Sequence, residues 1–433
     1  MKHDTYWRET EPVQAGAPLG EDLACDVCIV GAGYTGLWTA HFLKEHDAGL
    51  SVVVIEADFA GAGASGHNEG FVLQALGART PDSLVAEFGR ARTVSTYAEL
   101  RRSALDLSRF CVRRNLDAEF EASQIYQVAS TRGQLKLIYR NVELAAAIGG
   151  SVARVLRGPE MRARVGSPLL TAGYRCGGGL LNPHKLVRGL AKAVQAQGVR
   201  ICESTRALSV EDGAAGARVR APTATVTAAR VVLATDAYQY WHPAFAGQLR
   251  HKRRYALVTE PLTERQVEMA GWVTRDGFVN AGANSVFGRL TWDSRIMVSG
   301  GFSLRCRGTG PAEPQSDAVR FEGRMISIFR KYFPVLKDVA FEYCYGGTIG
   351  ITKNMLPVVG FLSPRIGYAY GYSGNGIVSC HTAARALSGL IVGLPSGIDS
   401  DVLFVRDREP VYGSLPAPKP RAAAARGPRQ TSE

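Results

Sequence analysis

The sequence predicts an α/β fold in which a Rossmann-like, dinucleotide-binding domain is assembled from separated pieces and a second, sheet-based α+β domain fills the gaps. Three observations predict it. An apolar strand runs into a glycine turn and a helix near the N-terminus, and strand and helix patterns of the same kind return after residue 172 and near the C-terminus. The stretches between differ in character: residues 81–171 are charged and helical in period, and residues 250–305 are rich in strand-like runs. The first domain is therefore expected from 24–80, 172–243 and 345–405 and the second from 81–171 and 244–344, with an N-terminal extension over 1–23 and a disordered tail over 411–433.

In chain order, Asp26–Val30 reads as a strand, Gly31–Gly36 as a turn, Leu37–Lys44 as a helix and Ser51–Ile55 as a second strand ending at Glu56. Tyr97–Val112 and Thr131–Ile148 carry helical periodicity. Leu186–Gln197 is a helix with Leu186, Leu190 and Val194 on one face, followed by strands at Gly198–Ile201 and Arg230–Asp236, with Arg218–Thr227 alternating as one arm of a hairpin. Tyr255–Thr259 and Arg295–Ser299 are strand-like, and Gly367–Leu394 is a strand, a glycine loop and an apolar helix.

The bulk numbers narrow the function. With 433 residues and 46% hydrophobic content the chain can bury a large core. No stretch approaches the roughly 20 apolar residues of a membrane span, and the first residues lack a signal-peptide core, so a cytoplasmic protein without a membrane partner is expected. Eight scattered cysteines do not form a disulfide scaffold. Cys25-x-x-Cys28 has no second pair, and no metal site is expected. Of the net charge of +12, +3 falls in the tail from Ser414 to Glu433 and the remaining +9 is spread along the chain rather than clustered, which a solvated surface or an anionic small substrate explains at least as well as nucleic acid.

Gly31, Gly33 and Gly36 follow a strand and open a helix, with Glu56 about twenty residues on. In that context the first glycine permits the turn, the second lets backbone approach a pyrophosphate, and the third lets helix and strand pack closely. The helix start, with the amides of Tyr34 and Thr35, favours negative charge, and Glu56, followed by Ala57, would accept hydrogen bonds from a ribose. A structural βα turn with a surface glutamate is the plain alternative. A second glycine loop, Gly61–Gly70, exceeds what a nicotinamide-binding unit needs; it reads either as a further phosphate or isoalloxazine contact or as a flexible loop.

Taken together, Gly31–Gly36, Glu56, the Gly-Ala-Ser-Gly-x-Asn-x-Gly run at 63–70, Leu233-Ala-Thr235, Tyr345-Gly-Gly347, Thr352-x-x-x-Leu-Pro357 and Gly371-Tyr-Ser-Gly-Asn-Gly376 resemble the D-amino-acid oxidase superfamily. The resemblance is strongest to its γ-glutamylputrescine oxidoreductase-like branch, with Thr5-Tyr6-Trp7 and Val258–Leu262 included. It implies a three-piece flavin domain, a two-piece substrate domain and FAD between them. The matching positions are Gly31, Gly33, Tyr34, Thr35, Gly36, Glu56 and Ala57 for the ADP half, Ala207 for the adenine, and Ala64, Ser65, Asn68 and Gly70 for the loop near the flavin. Thr235 closes the next strand, and Gly374, Asn375, Gly376 and Ile377 would hold the pyrimidine edge of the ring. Relatives often place Arg at the position of His67 and Gly at that of Glu69, and sarcosine-oxidase-like members place Lys at that of Val378 and Arg near that of Gly70. Recognition of a simple amino-acid carboxylate in their manner is therefore not expected. Cys344 is read as a core cysteine and the flavin as non-covalent.

The implied chemistry is hydride transfer from the carbon bearing an amine to flavin N5, giving an imine that hydrolyses to a carbonyl compound, with O2 or another acceptor reoxidising the flavin. The substrate is a small amine or amino acid. Arg289 and Lys353 are the candidate anchors for an anionic part of it, and Tyr255 and Tyr372 the candidate pocket walls; each has an equally simple packing or surface reading. Two rival readings share the first glycine motif or the superfamily: an FAD-dependent monooxygenase and a tRNA-modification-type flavoprotein.

Overall fold

The computed structural model describes residues 1–149, 154–272, 274–282, 284–300, 304–305 and 315–395. The expected end of the first domain over 396–405 and the expected disordered tail over 411–433 lie outside the described residues. Two sheets of eight and ten strands organise the described residues.

The first sheet runs in the order Val358–Ser363, Ile366–Tyr370, Thr225–Leu233, Leu23–Val30, Val52–Ile55, Arg200–Cys202, and its central pairs are parallel. Parallel neighbours need crossovers, and the helix Tyr34–His46 supplies the one between Leu23–Val30 and Val52–Ile55. Both faces are consequently covered, and the strands read as unbroken apolar runs. Val27, Ile29, Val52 and Val54 pack with Leu37 and Leu43 on the helix side. Cys28, Val30, Val53 and Ile55 pack with Cys202 and Val226 on the other.

One expected element differs. Arg218–Thr227 is not a single arm: Gly216–Arg220 ends, Ala221 N–H bonds to the Ala224 carbonyl 2.9 Å away, and Thr225–Leu233 begins. Pro222 lies in the turn, where its missing N–H costs no ladder hydrogen bond.

In the second sheet Arg250–Thr259 pairs with Ile296–Gly300, Leu304–Arg305 and Phe341–Ile351, and the order continues through Val286–Leu290, Gly277–Asn280, Glu121–Ala129, Ala172–Leu180 and Phe71–Leu73. Residues 172–180 and 345–351, read from the sequence with the nucleotide domain, thus pair into this sheet. The run Gly177-Gly178-Gly179 hides the strand from its pattern, and pairing with Glu121–Ala129 supplies the order that the side chains do not.

Side chains alternate across Arg250–Thr259. Tyr255 and Leu257, with Cys344, face the helix Gln315–Tyr332 and pack with Phe321, Met325 and Phe329. On the opposite face Ala256 and Val258 pack with Tyr343, Tyr345 and the N-terminal Tyr6 and Trp7. The N-terminal segment is therefore part of the core: Lys2 bridges to Tyr343, and Trp7 is fully buried. Among the described residues no helix is long and apolar enough to cross a membrane.

Candidate functional site

A cavity of about 600 Å3 opens between the two sheets. It lies where open α/β sheets bind ligands, beyond the carboxyl ends of the parallel strands, which contribute Val30, Ile55 and Ala234. The second sheet faces it with Arg254, Ala256, Phe287, Tyr345 and Gly347.

Most of the residues singled out from the sequence meet there. Gly31, Gly33, Tyr34, Thr35, Glu56, Ala57, Ala64, Ser65 and Asn68 line it, as do Ala207, Thr235, Gly374, Asn375, Gly376 and Ile377. Glu56 accepts hydrogen bonds from the amides of Ala32 at 2.8 Å and Asp58 at 3.1 Å, and burial raises its pKa. The Ser65 hydroxyl accepts the Tyr34 amide at 2.9 Å, joining the two glycine loops. Asn68 shapes its own loop, donating to the carbonyls of Ala64 at 3.1 Å and Ser65 at 2.9 Å and accepting the Gly70 amide at 2.9 Å. Gly36 lies behind the lining, where a Cβ would fall 1.9 Å from the Gly31 carbonyl oxygen, so it serves the close helix–strand contact.

Two helix starts open on the same cavity. Tyr34–His46 begins after Gly33 and Gly376–Ile391 after Asn375, and neither has a hydrogen bond from its cap side chain. Apart from the Tyr34 amide, which Ser65 Oγ accepts, their first-turn amides and positive ends suit an extended ligand that carries negative charge at two separated points. A dinucleotide that carries a pyrophosphate and an electron-accepting ring fits that arrangement, and the acid of Glu56 fits a ribose.

The candidate substrate residues fare differently. Arg289 is 0% exposed and lies outside the lining: its Nη1 donates to the carbonyls of Leu181 at 2.6 Å and Glu69 at 3.0 Å, beneath the glycine loop. Gly70, also outside the lining, has φ of +75° and leaves no room for a Cβ, which would sit 2.5 Å from that Nη1. Lys353 stands exposed in a turn outside the cavity. Tyr255 is among the cavity-lining residues, but its ring packs 4.9 Å from the Phe321 ring on the helix side of its strand. The Tyr372 hydroxyl is paired with Thr35 Oγ1 at 2.8 Å, which commits it to the nucleotide side. The two expected walls, Tyr255 and Tyr372, thus both belong to the lining, whereas the two expected anchors, Arg289 and Lys353, do not, because burial and position rather than residue type decide what a side chain faces.

Three residues near the cavity matter more than the sequence suggested. Arg254 lines it and lies over the Phe287 ring at 4.7 Å. Its signal was the run His251-Lys-Arg-Arg254 in a strand otherwise apolar, where alternate charges mark one wet face. Asp236, just after its strand, accepts the Gly371 amide at 2.7 Å and so ties two loops of the cavity together. Glu69 lines the cavity with its carboxylate bonded to the Ser299 hydroxyl. His67 is close by; its Nδ1–H donates to the Gly63 carbonyl at 2.9 Å, and desolvation lowers its pKa, which keeps the ring neutral at pH 7.

A Rossmann-type sheet, a second sheet facing it and a cavity fitted to a dinucleotide between them define a flavin-dependent oxidoreductase. Residues 26–390 match the DAO family, FAD dependent oxidoreductase, and the chain belongs to it. It is 29% identical to gamma-glutamylputrescine oxidoreductase of Escherichia coli K12 over 381 residues, 87% of this chain and 85% of that one. Among solved structures, glycine oxidase from Geobacillus kaustophilus superposes with a TM-score of 0.71 at 18% identity, covering 89% of this chain and 100% of its own. L-amino acid deaminase from Proteus vulgaris does so with a TM-score of 0.71 at 16% identity, covering 90% and 99%. The chain is thus an FAD-dependent oxidoreductase of the amine and amino-acid oxidase type.

Proposed function

We propose that the chain oxidises a C–N bond in a small amine or amino acid, with O2 as the electron acceptor. The observation that carries this reading is the meeting of two helix starts, neither bonded by its own cap side chain, in one cavity between the sheets. Gly31, Gly33, Tyr34, Thr35 and Glu56 would hold the ADP half of FAD, Ala207 the adenine, and Ala64, Ser65, Asn68 and Gly374–Ile377 the flavin. When bound, FAD supplies the two-electron acceptor that takes hydride from the carbon bearing the amine.

The protein contributes position and dryness. Phe287, Tyr345 and Ala256 give the second-sheet wall an apolar surface, which disfavours the ammonium form and presents the amine neutral. His67, itself neutral and with Nδ1 committed to Gly63, supplies no negative charge that would hold the amine as an ammonium. The imine product hydrolyses in water to a carbonyl compound without a protein catalyst. Cys344 faces the helix Gln315–Tyr332 rather than the cavity, which supports non-covalent FAD.

The test is anaerobic addition of amines and amino acids to the yellow holoprotein. Bleaching of the flavin band by an amine, reversed by air with release of peroxide, is the expected result. A colourless protein that FAD does not reconstitute, or one bleached only by NADPH, sinks the proposal.

A further inference from the structure

A second cavity, of about 920 Å3, adjoins the first and shares Leu73, Arg254, Phe287, Ile349 and Asn375 with it. A substrate reacting at the shared wall can extend into it. Its described lining contains seven basic side chains and no aspartate or glutamate.

Three of the seven are neutralised from behind. Arg79 pairs with Glu87, Arg154 with Glu160, and Arg164 lies 3.8 Å from Asp276. The other four have no acidic partner among the described residues. Arg101 donates to the Ile148 carbonyl. Arg254 donates one N–H to the Ser285 carbonyl at 3.0 Å, and its buried Nε has no hydrogen-bond partner. Lys252 is half-buried two residues along the same strand, on the same face, roughly 7 Å from Arg254 by strand geometry. Arg175 enters from the strand Ala172–Leu180.

The arrangement is built rather than incidental. Gly300 has φ of +84°, and a Cβ there would lie 2.2 Å from Arg254 Nη2, so the backbone gives way to the guanidinium. Clustered cations without counter-charges repel one another and raise the local potential, a cost that an anionic ligand removes. A cationic polyamine tail meets only repulsion here.

We propose, resting on the amine-oxidising reading above, that the substrate is an amine with two anionic groups. The first is held by Arg254 at the wall shared by the cavities, and the second reaches Lys252, two residues along the same strand face. The distal group is a carboxylate or a phosphate, both of which guanidinium and ammonium groups bind.

The holoprotein is titrated with glutarate, 3-phosphonopropionate, butyrate and 1,4-diaminobutane, read by perturbation of the flavin band and by the rise in Tm. At least one of the two dianions binds ten-fold or more tighter than butyrate, the tighter of the two identifying the distal group, and the diamine neither binds nor displaces it. Lys252→Glu weakens the dianion five-fold or more and leaves butyrate unchanged, with Lys252→Gln intermediate and the flavin spectrum retained. Dianions no tighter than butyrate, binding of the diamine, or a charge-reversed variant that binds the dianion normally overturn the proposal. If amines never bleach the flavin yet the dianions bind as described, the oxidation falls and the anionic site stands.

Discussion

The Arg289 guanidinium lies 5.1 Å from the centre of the Trp7 ring, so the N-terminal segment forms the floor on which the glycine loop at 63–70 rests. Trp7 reaches the same loop through its indole N–H, which donates to the Asn68 carbonyl at 2.8 Å. Arg289 thereby supports the loop from outside the cavity lining. Arg289→Met leaves the carbonyls of Glu69 and Leu181 without a donor and is expected to cost on the order of 3 kcal/mol, since hydrogen bonds from charged groups are worth about 1.5–3 kcal/mol each. The check is Tm and FAD affinity, both of which fall. A variant that keeps both and loses only substrate affinity contradicts this assignment.

Lys353 stands on an exposed turn away from either cavity. Lys353→Ala is expected to leave kcat and KM for the best amine within about two-fold, because surface substitutions are usually worth no more than about 0.5 kcal/mol. A ten-fold rise in KM would return it to the list of anchors.

The glycine turn gives a paired test. Gly36→Ala places a methyl group 1.9 Å from the Gly31 carbonyl oxygen and is expected to abolish FAD retention during purification. Gly20→Ala meets nothing within 4 Å and is expected to bind FAD normally. Equal behaviour of the two variants refutes a packing role for Gly36.

His381 is buried between Trp38 and Phe42, with ring centroids at 4.7 and 5.0 Å, and desolvation lowers its pKa to about 3. An unfolded histidine titrates near pH 6.5. Below that pH the unfolded chain binds a proton that the folded chain refuses, so the stability present above about pH 6.5 is lost as pH falls towards 3, at up to about 1.4 kcal/mol per unit. His184, lowered to about 4, adds to the same window. In denaturant titrations between pH 7 and 4, His381→Leu is expected to flatten the fall; an unchanged slope means that other groups set it.

How much was legible follows from where each contact comes from. The turn Gly31–Gly36 and Glu56 announced themselves because their partners are near in sequence: a strand, a turn, a helix and the next strand. The role of the N-terminal segment was invisible because Trp7 meets Arg289 and Asn68 only after the second sheet has formed. The strand Ala172–Leu180 was obscured by its glycines, which contribute no side-chain pattern.

The sequence by itself determined the class of fold and the nucleotide half of the site, since glycine spacing and apolar runs act through the local backbone. Only the tertiary structure decided which side chains the substrate side presents. Side chains alternate along a strand, so one position separates Arg254, at the shared wall of the two cavities, from Tyr255, which borders only the first and packs its ring into the helix layer against Phe321. Residue type does not encode that parity. It is fixed by pairing across the sheet, where Arg254 lies opposite Gly347 and Tyr255 opposite Gly346, and by the apolar helix that claims the other face.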